Sequence, residues 1–76
     1  MTLYDMKVGE CAEIVQVTGA SAKKLTELGY TQKTTVKLLN ISLFNGRLIL
    51  IRDNIVGLRS SLAKDIEVRL LKGRKD

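Results

Sequence analysis

The sequence predicts a mainly β domain: a small barrel of about five short strands, with one short α-helix inserted after the first strand. Three observations support this prediction. A chain of 76 residues has room for one small core, apolar residues alternate in several short runs, and helical spacing occurs early in the chain. Closing the sheet removes its unpaired edges. Closure would also bury Val36 and Leu38 together with Ile66 and Val68, and Leu70 continues the alternation of that last strand.

The strands are recognised as short β-branched and aliphatic runs separated by turn residues. The predicted strands, in order, are 11–17, 34–42, 47–52, 55–59 and 66–70. In the first strand the apolar phase changes between Ile14 and Val15, which predicts a β-bulge. Asn45–Gly46 predicts a type I′ turn because both residues tolerate positive φ, and Asp53–Asn54 supplies the next reversal. One helical or 3₁₀ turn with a hydroxyl cap is predicted over 60–64.

The single longer helix, of about two turns, is predicted over 22–29. Ser21 is a suitable N-cap residue, and Gly29 suits the left-handed conformation that often ends a helix. Leu25 and Leu28 share one face, so both are expected to face the core.

The charge of the chain is divided between a domain and a tail. The sequence has 13 Lys and Arg against 8 Asp and Glu, for a net charge of +5. Residues 1–71 contain ten basic and seven acidic side chains, giving +3, and residues 72–76 add +2. We therefore expect one domain over 1–71 and a solvated basic tail over 72–76, rather than a phosphate-binding arm.

The composition favours a cytoplasmic protein. One Cys cannot form an intramolecular disulfide, so the chain must be stabilised by packing, as is usual in a reducing compartment. No apolar stretch approaches the roughly 20 residues that cross a bilayer, and the N-terminus does not resemble a secretion leader.

Few residues in the sequence support chemistry. There is no His, so neither Cys11 nor Ser60–Ser61 has the usual general base, and we expect no enzymatic activity. The same composition predicts no cofactor and no transition-metal site within one chain. Asp5, Glu10 and Glu13 form a small acidic group, but their spacing fits no calcium loop, so solvated surface is expected.

Four features, in this order, resemble the ferrous iron transport protein A (FeoA) family. They are Gly9–Glu10, the helix end and following residues at 24–31, a hairpin with a Gly near its tip, and residues 57–63 leading into the strand at 66–68. The resemblance extends over about residues 3–71. Two loops depart from the family: Gln32–Lys33 stands where a Pro-Gly pair is usual, and the hairpin at 42–47 lacks the family's Pro and Asp.

The resemblance implies an SH3-like barrel that serves as a small cytoplasmic accessory of bacterial ferrous iron uptake. Such proteins are expected to act on the cytosolic part of the FeoB-type membrane GTPase transporter, and would reach the membrane only through it. A similar domain also closes some iron- and manganese-dependent repressors, so a stand-alone relative of that domain is an alternative. This chain has no DNA-binding helices before the barrel, which favours the accessory protein.

Five residues are candidates for binding a partner. They are Lys23, Lys24, Leu43, Phe44 and Arg47. At the hairpin tip, Phe44 beside Leu43 either folds down as a lid on the barrel or stands exposed as an anchor. The two lysines lie on the exposed side of the helix, where they either engage an acidic partner or solubilise the chain. An arginine donated to a GTPase must be exposed on a mobile loop.

The two arginines near the later hairpins have different expected roles. Arg47, just past the hairpin tip, fits an exposed arginine better than Arg59 does. Arg59 is similar to an arginine of the family's last hairpin, where it could brace neighbouring carbonyls or carboxylates.

A nucleic-acid-binding barrel is a further alternative because of the net charge, but Tyr4, Tyr30 and Phe44 are scattered and form no stacking platform. Self-association through an exposed strand face also stays open.

Overall fold

The computed structural model describes residues 1–42 and 46–71. Its elements, in chain order, are a 3₁₀ turn at Leu3–Asp5, β1 (Cys11–Val17), α1 (Ala22–Glu27), β2 (Thr35–Ile41), β3 (Gly46–Ile51), β4 (Asn54–Arg59), α2 (Ser60–Ala63) and β5 (Ile66–Leu70). The predicted mainly β fold, with five strands and a helix after the first, is confirmed. The tip of the β2–β3 hairpin at 43–45 and the predicted tail at 72–76 lie outside the described residues.

All five strands form one antiparallel sheet in the order β4-β3-β2-β1-β5. The register of β1 against β5 shifts between Ile14 and Gln16, where the sequence predicts a bulge. A second shift lies in β2, between Leu38 and Asn40. Such irregularities increase the local twist of a strand, which helps a short sheet to curl around its own core.

The N-terminal segment connects the two outer strands of the sheet. The N-terminal segment lies along β5, where Thr2 bridges Glu67 and the Val68 N–H donates to the Met1 carbonyl at 2.9 Å. At the other edge, α2 follows β4 directly and contacts the 3₁₀ turn of the N-terminal segment, which also contacts β5. The N-terminal segment thus helps to complete a barrel-like enclosure.

The core consists of aliphatic side chains on the inner face of the sheet, together with the ring of Tyr30. From α1 only Leu25 is fully buried, and Leu28 is 48% exposed, so the prediction that both face the core is wrong. Gly29 has a φ of +110°, and the Tyr30 N–H then donates to the Leu25 carbonyl at 3.0 Å. This reversal turns Tyr30 into the core close to the end of the helix, while Leu28 stays at the surface.

The last strand and the last helical turn also differ in detail from the prediction. Ile66 and Val68 are buried, but Leu70, near the end of the chain, is partly exposed. The N-cap residue of α2 is Arg59 and has no side-chain capping bond, so the predicted hydroxyl cap is wrong. Instead the Ser60 hydroxyl accepts a hydrogen bond from Arg47.

The turn between β3 and β4 is one residue earlier than predicted. Ile51 pairs with Asn54, so the two turn residues are Arg52 and Asp53, with φ values of +50° and +68°. Positive φ at both central positions is the mark of a type I′ turn. The other predicted turn, Asn45–Gly46, falls partly on residues outside the description, and Gly46 itself begins β3 opposite Arg59.

Candidate partner-binding site

Arg47 is the candidate residue whose environment differs most from expectation. It lies on the same face of β3 as Ile49 and Ile51, which turn into the core, and only 7% of its surface is exposed. Its Nη1 donates to the Ser60 hydroxyl at 2.6 Å, and Nη2 makes a longer contact of 3.5 Å with the Tyr4 carbonyl. The expectation of an exposed Arg47 is therefore wrong, because strand register turns this side chain inward.

The guanidinium of Arg47 also stacks on an aromatic ring. Its central carbon lies 4.3 Å from the centroid of the Tyr4 ring, and Lys64 Nζ lies 4.7 Å from the same centroid. Both distances are within the range of cation–π attraction. Arg47 thus connects β3 to the N-terminal segment and to α2, two elements that help to close the barrel.

Arg59 has the exposure that the sequence suggested for Arg47. Its side chain is exposed, and it makes no hydrogen bond or ion pair with any residue in the described ranges. The bracing role that the resemblance suggested for Arg59 is performed by Arg47. The two arginines have exchanged their expected environments, because the inner and outer positions of paired strands are fixed by register.

Lys23 and Lys24 are exposed on α1, as predicted. Neither forms an ion pair with a carboxylate in the part of the chain that the structure describes. Leu28, one turn after Lys24, is exposed beside them. The structure does not bring these lysines into hydrogen-bond or ion-pair contact with Arg47. Leu43 and Phe44 lie outside the described residues, so their role as lid or anchor stays a prediction.

A row of four side chains crosses the outer face of the sheet, the face turned away from the core. Ile55, Leu50, Lys37 and Cys11 are direct partners on β4, β3, β2 and β1. Ile55 is 63% exposed and Leu50 is 36% exposed. Sequence reasoning did not select this row as a site. The signal was the unbroken apolar run at 48–51, which makes both faces of β3 apolar.

A shallow groove of about 540 Å³ lies at one end of this row. Lys33, Lys37 and Arg52 all line it, with Asp53 as the one carboxylate among the lining residues. Arg52 is held in place because its Nη2 donates to the hydroxyls of Thr31 and Thr34, each at 3.1 Å. The groove is therefore basic, and one of its cations is fixed by neutral partners.

The small acidic group of the sequence is dispersed into separate local contacts. Asp5 accepts a hydrogen bond from the Thr2 backbone N–H, which lowers the pKa of its carboxyl. Glu10 accepts one from the Lys7 backbone N–H, and Glu13 pairs with Arg69. No cluster of three or more potential metal ligands occurs within residues 1–42 and 46–71.

Tyr30 is the buried titratable group of the core. Its ring is fully enclosed, and its hydroxyl has no hydrogen-bond partner among the described residues. Burial raises the pKa of Tyr30 to about 12 because the ionised form would lose its hydration. Tyr30 is therefore a core residue and is unavailable to a partner.

No helix in the described part of the chain has the length and apolar character needed to cross a bilayer.

Solved structures with the same fold define the class of protein. A FeoA-like protein from Clostridium acetobutylicum has a TM-score of 0.89 at 18% identity, covering 100% of this chain and 92% of that one. The zinc complex of Stenotrophomonas maltophilia FeoA, described as a prokaryotic SH3 domain protein, has a TM-score of 0.82 at 25% identity, covering 91% of this chain and 89% of that one. A manganese-dependent transcriptional repressor has a TM-score of 0.83 at 19% identity, covering 92% of this chain and 40% of that one. The fold is that of a small SH3-like domain.

The particular family follows from the sequence match. The FeoA domain family matches residues 1–70, nearly the whole chain. No curated protein sequence matches this chain. This chain belongs to the FeoA family, which is associated with ferrous iron transport.

Proposed function

We propose that this protein is a small accessory of ferrous iron uptake that acts by contact with the cytosolic part of a FeoB-type membrane GTPase transporter. The family match over residues 1–70 is the observation that carries the proposal. The S. maltophilia relative has itself been put forward as a ferrous iron transport activating factor. On this proposal the protein works in the cytoplasm and reaches the membrane only through its partner.

The side chains support binding rather than catalysis. Cys11 lies opposite Lys37 on the outer face of the sheet, and Ser60 accepts a hydrogen bond from Arg47. The chain has no His to act as the usual general base for either nucleophile in covalent or acid–base catalysis. By contrast, the exposed aliphatic and basic side chains of the outer sheet face are the groups from which protein interfaces are built.

The positions of the aromatic residues support nucleic-acid binding less well than they support binding to a protein. Single-stranded nucleic acids are bound by basic grooves in which bases stack on exposed rings. Tyr30 is buried in the core, and the ring of Tyr4 is covered in part by Arg47 and Lys64. A protein partner therefore accounts better for the exposed aliphatic residues beside the basic groove.

A stand-alone relative of the barrel in metal-dependent repressors is the second candidate function. It is favoured by the likeness to the manganese-dependent repressor, of which this chain covers 40%. In that case the chain would bind another part of a regulator instead of a transporter.

The proposal is tested by titrating the purified protein into the cytosolic GTP-binding part of the cognate transporter. The titration is performed without nucleotide, with GDP and with a non-hydrolysable GTP analogue, and an unrelated small GTPase serves as the control. We expect saturable binding to the transporter in at least one nucleotide state. Absence of binding in all three states would contradict the proposal.

A further inference from the structure

The outer sheet face, defined here by Lys37, Leu48, Leu50 and Ile55, is apolar at one end and basic at the other. Leu50 lies directly between Ile55 on β4 and Lys37 on β2. Leu48, two residues before Leu50 on the same side of β3, is 41% exposed. Adjacent strands are about 4.8 Å apart, so Ile55 to Lys37 spans roughly 10 Å. Exposed aliphatic side chains this close together form a continuous patch.

The basic end of the outer sheet face consists of charges that form no ion pair within residues 1–42 and 46–71. Lys33, Lys37 and Arg52 line the groove beside Leu50. None of the three forms a salt bridge with a carboxylate in the described ranges. At the opposite edge of the same sheet, Glu13 pairs with Arg69, so the charges there are satisfied within the chain. The groove thus carries three cations against one carboxylate, that of Asp53.

We propose that the outer sheet face binds an acidic segment of a protein partner that also carries aliphatic side chains. The aliphatic side chains would cover Leu50 and Ile55, and the carboxylates would pair with Lys37 and with its neighbours Lys33 and Arg52. Arg52 suits this task because its Nη2 is already anchored by two threonine hydroxyls, which reduces the side-chain entropy lost on binding. This inference rests on the proposed function and names the surface and the partner chemistry.

Charge complementarity favours an acidic protein segment over two other occupants, a second copy of this chain and a nucleic acid. A second copy of the chain offers an apolar partner to Leu50 and Ile55, but the same face would bring only the Asp53 carboxylate to the three cations of the groove. A nucleic acid would satisfy the cations but would leave Leu50 and Ile55 without an apolar partner. An acidic aliphatic segment satisfies both halves of the surface.

The decisive experiment compares two pairs of variants in binding to the cytosolic part of the cognate transporter. Leu50→Ser and Lys37→Glu alter the apolar and basic halves of the outer sheet face. Leu28→Ser and Lys24→Glu are matched changes at the C-cap of α1 and within it, and all four side chains are solvent-exposed. We expect Kd to rise about tenfold for the first pair and to change less than about threefold for the second. Equal effects in the two pairs, or a larger effect on α1, would overturn the inference.

A second probe separates failure of this inference from failure of the proposed function. A synthetic peptide of alternating glutamate and leucine is titrated into the ¹⁵N-labelled protein, and a lysine–leucine peptide is the control. We expect the acidic peptide to shift the amide signals of Lys37, Leu50 and Ile55, whether or not the transporter binds. Shifts with the basic peptide alone, or with single-stranded RNA alone, would contradict an acidic protein segment. Dimerisation by sedimentation that Leu50→Ser abolishes would identify a second copy as the occupant.

Discussion

Arg47 donates a hydrogen bond to the hydroxyl of Ser60 at 2.6 Å, which joins the start of β3 to the start of α2. The same guanidinium lies over Tyr4, so one buried cation connects three elements that are distant in sequence. A residue first considered for partner binding is thus part of the structure that closes the barrel.

Replacing Arg47 by alanine should destabilise the domain. The change removes a charge-assisted hydrogen bond and a cation–π contact, and it leaves the Ser60 hydroxyl without this donor, so we expect a loss of about 2 kcal/mol in the free energy of unfolding. Urea denaturation of the wild type and the variant measures this difference in the free energy of unfolding. Arg59→Ala is the matched control, and we expect a change within about 0.5 kcal/mol because that side chain is exposed. Equal losses for the two variants would contradict the role assigned to Arg47.

Replacing Tyr30 by phenylalanine should change how stability depends on pH. The folded-state pKa of Tyr30 is raised from 10.0 to about 12, so the folded state retains a proton that the unfolded chain releases. The resulting stability is fully present below pH 10 and is lost as pH rises from about 10 to about 12, at up to about 1.4 kcal/mol per pH unit.

The phenylalanine variant lacks this loss, and it also removes a buried hydroxyl without a partner in the described residues. We therefore expect it to be at least as stable as the wild type near pH 7 and increasingly more stable above pH 10. Chemical denaturation of both proteins across this range is the measurement. A constant difference between them from pH 8 to 11.5 would show that Tyr30 is not a buried neutral hydroxyl.

Glycine substitutions test the position of the β3–β4 turn. Asp53 has a φ of +68°, a conformation that glycine adopts without the penalty of a Cβ atom. Asp53→Gly should therefore raise the free energy of unfolding by roughly 0.5–1 kcal/mol. Asn54→Gly should lower it by about the same amount, since Asn54 is a strand residue that pairs with Ile51. Thermal denaturation of both variants is the measurement. If Asp53→Gly lowered the free energy of unfolding and Asn54→Gly raised it, the turn residues would be Asp53 and Asn54.

Leu25 in α1 and Leu28 at its C-cap provide a matched pair. Leu25→Ala leaves a cavity in the core and should destabilise the protein by about 2–5 kcal/mol. Leu28→Ala changes an exposed side chain and should have an effect within about 0.5 kcal/mol. A comparable loss of Tm in both variants would mean that Leu28 is buried after all.

The elements of the fold were largely predictable because alternation and turn residues are local signals. The β-rich run at 11–17 predicts the bounds of β1, and the change of apolar phase after Ile14 predicts the bulge. The environment of Leu28 was not predictable in this way, because two apolar residues, Leu28 and Tyr30, lie at the helix end and only one of them is buried in the core. Only the path of the chain after Gly29 decides between them.

The candidate site was predicted less well because it depends on which face of β3 points inward. Arg47, Ile49 and Ile51 alternate with Leu48 and Leu50, so the sequence has apolar residues on both faces. Pairing of Ile49 with Leu38 and of Ile51 with Val36 selects the inner face. Arg47 is buried and Leu50 is exposed as a consequence of that long-range register.

The most direct test of the central claim is the binding footprint of the transporter on this protein. The unlabelled cytosolic part of the cognate transporter is titrated into ¹⁵N-labelled protein, and changes in amide signals are mapped onto the sheet. We expect the affected signals to cluster around Lys37, Leu50, Arg52 and Ile55 while those of α1 stay unchanged. A cluster on α1, or no change at saturating concentrations of the transporter fragment, would contradict it.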